Sequence, residues 1–283
     1  MGNVSVLTTK AAVKEQVKAW RAEGLSVGLV PTMGYLHAGH ESLIEAAKKS
    51  CDKVVVSIFV NPLQFGPEED YDSYPRDLER DAQIVEAKGG DVIFHPEVEE
   101  MYPQGFSTNV IMNTLGDTLC GASRPVHFTG VCTVVTKLMN IVSPDRAFFG
   151  QKDAQQLAII KRMVADLDMN LEVVGCPIVR EEDGLAKSSR NTYLSSEERQ
   201  AALVLSRAIF AGQKAVQEGM RDASALKTLM EGIINKEPLA RIDYIEVVDG
   251  LTMQPVKQIE GSVLVAMAVY IGSTRLIDNF IWE

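Results

Sequence analysis

Apolar and polar positions follow two different rhythms along this chain. Lys10 to Glu23 carries Val13, Val17 and Trp20 at helical spacing, with Gly24 as the stop. Leu25 to Val30 is then a largely apolar run, as a buried strand is, and Glu41 to Lys48 returns to the helical pattern. Lys53 to Val60 is predominantly apolar and β-branched, the signature of a parallel strand covered on both faces. Pro75 suits the first position of a helix that ends at Gly89-Gly90, and Asp91 to Phe94 reads as a short strand. A helix from Gly130 to Ile141, a strand Arg146 to Phe149, a helix Ala154 to Asp166 and a strand Leu171 to Val174 complete the alternation. Repeated β-α-β units predict an α/β domain on a parallel sheet with right-handed crossovers.

The pattern changes after Cys176-Pro177. Ser195-Ser196-Glu197-Glu198 is a capping box that opens a long helix toward Gly219, and a second helix is expected from Ala223 to Asn235. Two long strands, Ile242 to Val248 and Val263 to Ile271, close the chain. Helices followed by strands predict a smaller α+β domain, so the expected division is 1–179 and 180–283.

Composition narrows the function. The 283 residues are 46% hydrophobic and 23% charged, as in a soluble globular protein, and no apolar run is long enough to span a bilayer. A net charge of −10 disfavours nucleic acid as a partner, because such binding needs a basic footprint. Met1 to Val6 lacks the basic flank and apolar core of a signal peptide and the Ser or Thr of a myristoylation signal, so a cytoplasmic protein is expected. Cys51, Cys120, Cys132 and Cys176 form no CxxC pair or zinc-ligand spacing and read as free thiols.

The candidate chemistry lies where strands end. Pro31-Thr32-Met33-Gly34-Tyr35-Leu36-His37-Ala38-Gly39-His40 joins a strand to a helix through a turn with two glycines, and it holds two of the chain's four histidines. Free N–H groups and the positive end of the helix dipole favour an anion there, and imidazoles can donate to phosphate oxygens. Gly150-Gln151-Lys152-Asp153 repeats the strand–turn–helix logic with a lysine as a phosphate point charge. Asn61-Pro62-Leu63-Gln64-Phe65 sits at the carboxyl edge of a strand, where open parallel sheets bind ligands, and offers two uncharged amides. Gln156 lies one helical turn beyond Asp153. Gly184-Leu185-Ala186-Lys187-Ser188-Ser189-Arg190-Asn191 supplies hydroxyls and a guanidinium suited to a triphosphate tail.

His37-Ala38-Gly39-His40 resembles the HxGH signature of the nucleotidylyl-transferase superfamily, and the longer Pro-Thr-Met-Gly-x-Leu-His-x-Gly-His string resembles the pantoate–β-alanine ligase family. That likeness implies a Rossmann-like parallel-sheet N-terminal domain with a smaller α+β lid. It implies ATP contacts from Met33, Gly34, Tyr35, Leu36, His37, Ala38, Gly39 and His40, and from Gly150, Gln151, Lys152, Asp153 and Val179. Lys187, Ser188, Ser189 and Arg190, in a KMSKS-type loop, are implied as further ATP contacts. His40, His37 and Lys152 become the catalytic candidates. Gln64, Gln156 and Asn61 become contacts for pantoate and β-alanine, and Asp81 a carboxylate near Mg2+. A homodimer that joins pantoate and β-alanine at the expense of ATP is expected.

Two departures stand out. Lys187 occupies a position that is usually apolar in the family, and Val126 replaces a glycine in Arg124-Pro125-Val126-His127-Phe128-Thr129-Gly130. His127 can either brace that loop or touch a ligand. The rivals are another nucleotidylyl transferase, which the Gln64 and Gln156 pair argues against, and a catalytically silent nucleotide-binding protein, which intact His40 and Lys152 argue against.

Overall fold

A computed structural model describes residues 4–67 and 69–283, so Met1 to Asn3 of the N-terminal reading lie outside the described residues. The chain forms two compact units. The larger takes the residues before Asn113, then Arg124–Gln151 and Ile159–Pro177; the second takes Asn113–Ser123, Lys152–Ala158 and Ile178–Glu283. Two stretches that precede residue 179 thus group with the C-terminal residues.

The first unit is built on β1 (Ser5–Leu7), β2 (Val27–Thr32), β3 (Lys53–Ile58), β4 (Val92–Phe94), β5 (Arg146–Gly150) and β6 (Glu172–Cys176). All pairings are parallel, in the order β1-β4-β3-β2-β5-β6. Helices α1 (Lys10–Ala22), α2 (Ala38–Ser50), α3 (Leu78–Ala87), α4 (Val98–Met101), α5 (Cys120–Ser123), α6 (His127–Val142) and α7 (Ala154–Asp166) fall between the strands, with α5 in the second unit and α7 passing from one unit to the other. Apolar strands β2 and β3 are buried on both faces; Val30, Ile44, Val54, Val56, Ile93 and Phe148 pack into one core. Successive crossovers run β2 to β3 to β4, and then the chain returns to place β5 on the other side of β2. The carboxyl ends of β2 and β5 therefore flank the topological switch point, where open α/β sheets bind ligands.

The second unit contains α8 (Ser196–Ala201), α9 (Leu203–Gln217), α10 (Ala223–Ile234) and the antiparallel sheet β7 (Ala240–Asp249), β8 (Val263–Ile271) and β9 (Thr274–Trp282), ordered β7-β8-β9. Leu205, Ile209, Leu226, Met230, Val265, Met267 and Val269 form its core. Among the described residues, no helix is long and apolar enough to cross a membrane, and all four cysteines are free thiols.

Four expectations change. Pro75 lies outside its helix, because Asp77 caps α3 by accepting from the Arg80 backbone N–H at 3.1 Å. The Ser195 capping box is present, but the helix it opens breaks at Ala202 into α8 and α9. Helix α6 begins a turn earlier than its apolar pattern, at His127. Two strands escape the pattern: β1 is only three residues long, and β9 buries the polar Asp278 and Asn279. Asp278 is tolerated there because Arg180 meets it bidentately at 2.7 and 2.8 Å.

Gly130, on α6, lies hard against the turn Pro62–Gln64 that follows β3. A Cβ there would collide with the Leu63 carbonyl and the Gln64 amide. Backbone cannot swing aside as a long side chain does. Gly130→Ala is expected to cost about 2 kcal/mol or more, at the upper end of overpacking penalties, in a urea melt. An unchanged midpoint and slope would contradict this account of the contact.

Candidate active site

The turn after β2 is held in a conformation that residues rarely adopt. Gly34 has φ of +90° and Tyr35 of +49°, so the chain doubles back before α2 begins. Asp81 on α3 keeps it there: its two carboxylate oxygens accept the backbone N–H groups of Tyr35 and Leu36, each at 2.7 Å. Arg80 adds a hydrogen bond to the Leu36 carbonyl at 2.9 Å and lies over the Tyr35 ring. Asp81 is only 1% exposed. Burial pushes its pKa above the ordinary carboxylate range, against the pull of the Leu36 and Tyr35 amides.

The two histidines then cap α2. His37 Nδ1 accepts the Gly39 backbone N–H at 3.1 Å, and His40 Nδ1 accepts the His37 backbone N–H at 3.3 Å. Both Nδ1 atoms act as acceptors, so in each neutral ring the proton sits on Nε2. The rings lie with centroids 4.1 Å apart. The result is a helix N-terminus with two imidazole donors, an arrangement that suits a phosphate.

The turn after β3 is braced from three sides. Asn61 is fully buried and engaged: its Nδ2 donates to Gln64 Oε1 at 3.0 Å and to the Gly130 carbonyl at 3.1 Å, while its Oδ1 accepts from Leu63 N–H and from Tyr102 Oη. Gln64 Nε2 reaches Met33 Sδ at 3.1 Å, tying this turn to the first one. The Gln64 carbonyl meets His127 Nδ1 at 3.0 Å and Arg124 Nη2 at 3.3 Å. His127 therefore braces the loop. Arg124 is in turn paired with Glu69, whose carboxylate burial would push up but whose guanidinium partner holds it below its usual range.

In the second unit, Lys152 and Asp153 follow β5 in a single helical turn, with Nζ and carboxylate 3.8 Å apart. Gln155, beside Gln156, is buried and structural: it accepts from Cys120 N–H and donates to the Leu115 and Thr118 carbonyls. Residues 180–186 fold back on themselves, and Lys187 N–H donates to the Val179 carbonyl at 2.9 Å. Ser188 caps the next turn by accepting from Arg190 N–H, and Asn191 donates to Glu181 and to the Ala186 carbonyl. Lys187 Nζ lies 3.5 Å from Glu181, a carboxylate that this unusual lysine shares with Arg199 at 2.7 Å. Lys152, Ser188, Asn191 and Asp278 line a small cavity of about 10 Å³.

Of the expected site residues, Met33 to His40, Asn61, Gln64, Asp81, Gly150 and Gln151 belong to the first unit, and Lys152, Asp153, Gln156, Val179 and Lys187 to Arg190 to the second. Sequence reasoning missed Tyr102, whose hydroxyl completes the Asn61 network, because one tyrosine before a proline carries no periodic signal. Among the described residues, no three His, Cys, Asp or Glu side chains gather as metal ligands, and Asp81 spends both oxygens on backbone amides.

A parallel sheet with a histidine-capped, phosphate-suited turn at its switch point defines a nucleotide-binding α/β protein. Comparison with known proteins narrows the class. The family model described as Pantoate-beta-alanine ligase matches residues 5–281, and the chain belongs to that family. It is 65% identical to the pantothenate synthetase of Ruminiclostridium cellulolyticum over 95% of each chain, and 60% identical to that of Enterococcus faecalis over 98% and 99%. Its fold matches the crystal structure of the Thermus thermophilus pantothenate synthetase with a TM-score of 0.92 at 46% identity, covering 98% and 99% of the two chains. A crystal structure of the Francisella tularensis pantoate-beta-alanine ligase, complexed with beta-gamma ATP and beta-alanine, matches at 0.81 and 33% identity over 98% and 97%.

Asp81→Asn tests the clamp on the first turn. The amide keeps the shape but points an N–H group at one of the two backbone donors, leaving that donor unpaired in a buried site. An isosteric loss of this kind is expected to lower unfolding free energy by about 1–3 kcal/mol, read by urea melts. Stability equal to that of the parent would show that the carboxylate does not hold the turn.

Proposed function

We propose that this protein condenses pantoate with β-alanine to give pantothenate, using ATP and releasing AMP and pyrophosphate. The observation that carries the reading is the histidine-capped turn at the sheet switch point, joined through Met33 to the buried amide of Gln64. Family membership and the ATP- and β-alanine-bound relative support it. The substrate carboxylate attacks the α-phosphorus of ATP in line, the bond to the bridging oxygen breaks and pyrophosphate leaves. The β-alanine amine then attacks the acyl carbon of the adenylate and expels AMP, losing a proton to water. No side chain has to become a nucleophile.

The residues serve by position and charge. His37 and His40 donate from Nε2 to the phosphate oxygens as charge builds on them, and Met33 to Gly39 hold the nucleotide with backbone groups. Gln64 and Gln156 bind the hydroxy acid. Lys152 and the Ser188-Ser189-Arg190 loop neutralise the triphosphate, with Gly150, Gln151, Asp153, Val179 and Lys187 as further nucleotide contacts. Asp81 is read as the clamp of the first turn and not as a metal carboxylate; magnesium arrives as the complex with ATP. Asn61 orients Gln64. A cytoplasmic homodimer is part of the same reading.

Pyrophosphate release tests it. With ATP and pantoate but no β-alanine, the protein is expected to release pyrophosphate and retain an acyl adenylate, and β-alanine should then yield AMP. His40→Ala should slow this step by about 10²–10³, the scale for losing one transition-state donor. Release that ignores pantoate would refute the reading, and normal turnover by His40→Ala would remove His40 from the mechanism.

Residues 180–283 act in this reading as a lid that keeps water from the adenylate. Saturating Mg-ATP is expected to slow amide hydrogen exchange across residues 181–191. Unchanged exchange would refute the lid.

A further inference from the structure

The use of Gln64 depends on which end of its amide faces the ligand. An N–H group attracts the oxygens of a hydroxy acid, and a carbonyl oxygen repels a carboxylate. Two backbone groups settle the matter one residue away. The Gly130 carbonyl, which can only accept, lies 3.1 Å from Asn61 Nδ2, and the Leu63 N–H, which can only donate, lies 3.3 Å from Asn61 Oδ1. Asn61 therefore keeps its nitrogen toward Gln64 and donates to Oε1 at 3.0 Å. With Oε1 engaged, Nε2 is turned to the side where Met33 Sδ lies.

The shortest bond in this set comes from Tyr102, whose Oη donates to Asn61 Oδ1 at 2.7 Å. The ring is fixed by Phe106 at 5.0 Å and Phe59 at 6.1 Å between centroids, with Lys137 Nζ lying over its face. Burial pushes the phenol pKa up, so the hydroxyl stays a donor. Donation runs in one direction: Tyr102 to Asn61, Asn61 to Gln64, and Gln64 to Met33 Sδ.

We propose that Tyr102 is a positioning residue for the hydroxy-acid substrate, acting through Asn61 to hold the Gln64 amide with its N–H group toward the bound acid. This rests on the reading of Gln64 as a pantoate contact. Tyr102 itself touches no substrate. Its role is to keep a two-amide relay from relaxing or inverting, and so to set the polarity with which the site meets an anion.

Steady-state kinetics on Tyr102→Phe, Gln64→Ala and the double variant test the proposal. Phenylalanine keeps the ring and its aromatic neighbours and deletes one buried hydrogen bond. The single variant is expected to raise KM for pantoate about fivefold while KM for ATP changes by less than about twofold. In the Gln64→Ala background the same substitution should add nothing, because the residue through which it acts is gone. A merely structural Tyr102 would weaken both substrates and add its effect in either background, and that result overturns the proposal, as does a Tyr102→Phe enzyme with unchanged KM for pantoate. Gln64→Glu gives a second arm that leaves Tyr102 in place. It puts a carboxylate oxygen where Nε2 stands and should raise KM for pantoate at least as much; an unaltered value overturns the polarity argument. A parent enzyme with no pantoate-dependent pyrophosphate release would refute the functional reading and the proposal together, and that failure shows before any variant is compared.

Discussion

A buried carboxylate must find donors, and Asp81 finds them in the backbone of the turn it shapes. Its two oxygens take the Tyr35 and Leu36 N–H groups, which fixes the left-handed conformation at Gly34 and Tyr35. That in turn decides where α2 begins and which residues become its cap. Because His37 and His40 spend their Nδ1 atoms on backbone N–H groups, both rings keep a proton on Nε2 at the helix start. One desolvated carboxylate on α3 thus orients the groups that the proposed reaction needs most.

The turn after β3 is built on the same plan, with neutral groups. Gly130 lets α6 approach the backbone of Leu63 and Gln64, and Arg124 and His127 hold the Gln64 carbonyl from the same side. Asn61 and Tyr102 then orient the side chain. Amides recognise a hydroxy acid without adding a charge that would compete with the phosphate contacts. Several residues that look functional by type, Asn61, His127 and Gln155 among them, are engaged in holding others in place.

Much of this was legible in the chain. The largely apolar runs of β2 and β3 and the helix Ala154–Asp166 followed from the hydrophobic pattern, and the switch-point loops from their glycines and the residue types beside them. What escaped had physical reasons. Strand β9 carries Asp278 in the core, which only its partner Arg180 makes tolerable, and no local pattern announces a partner 98 residues away. Pro75 suits a helix start, yet Asp77 offers a better cap two residues on. Asp81 reads by resemblance as a carboxylate near Mg2+, and no local pattern announces that tertiary structure buries it against the Tyr35 and Leu36 amides. The grouping of residues 113–123 and 152–158 with the C-terminal unit depends on contacts that no window of sequence contains.

The central claim is that a substrate carboxylate attacks the α-phosphorus of ATP while the protein positions and neutralises. Pantoate labelled with oxygen-18 in its carboxylate tests this directly, because the attacking oxygen stays with phosphorus when the amine displaces AMP. Mass spectrometry of the products should find one labelled oxygen in AMP for each pantothenate formed. Unlabelled AMP, with the lost oxygen found in pyrophosphate, inorganic phosphate or water, would contradict the account.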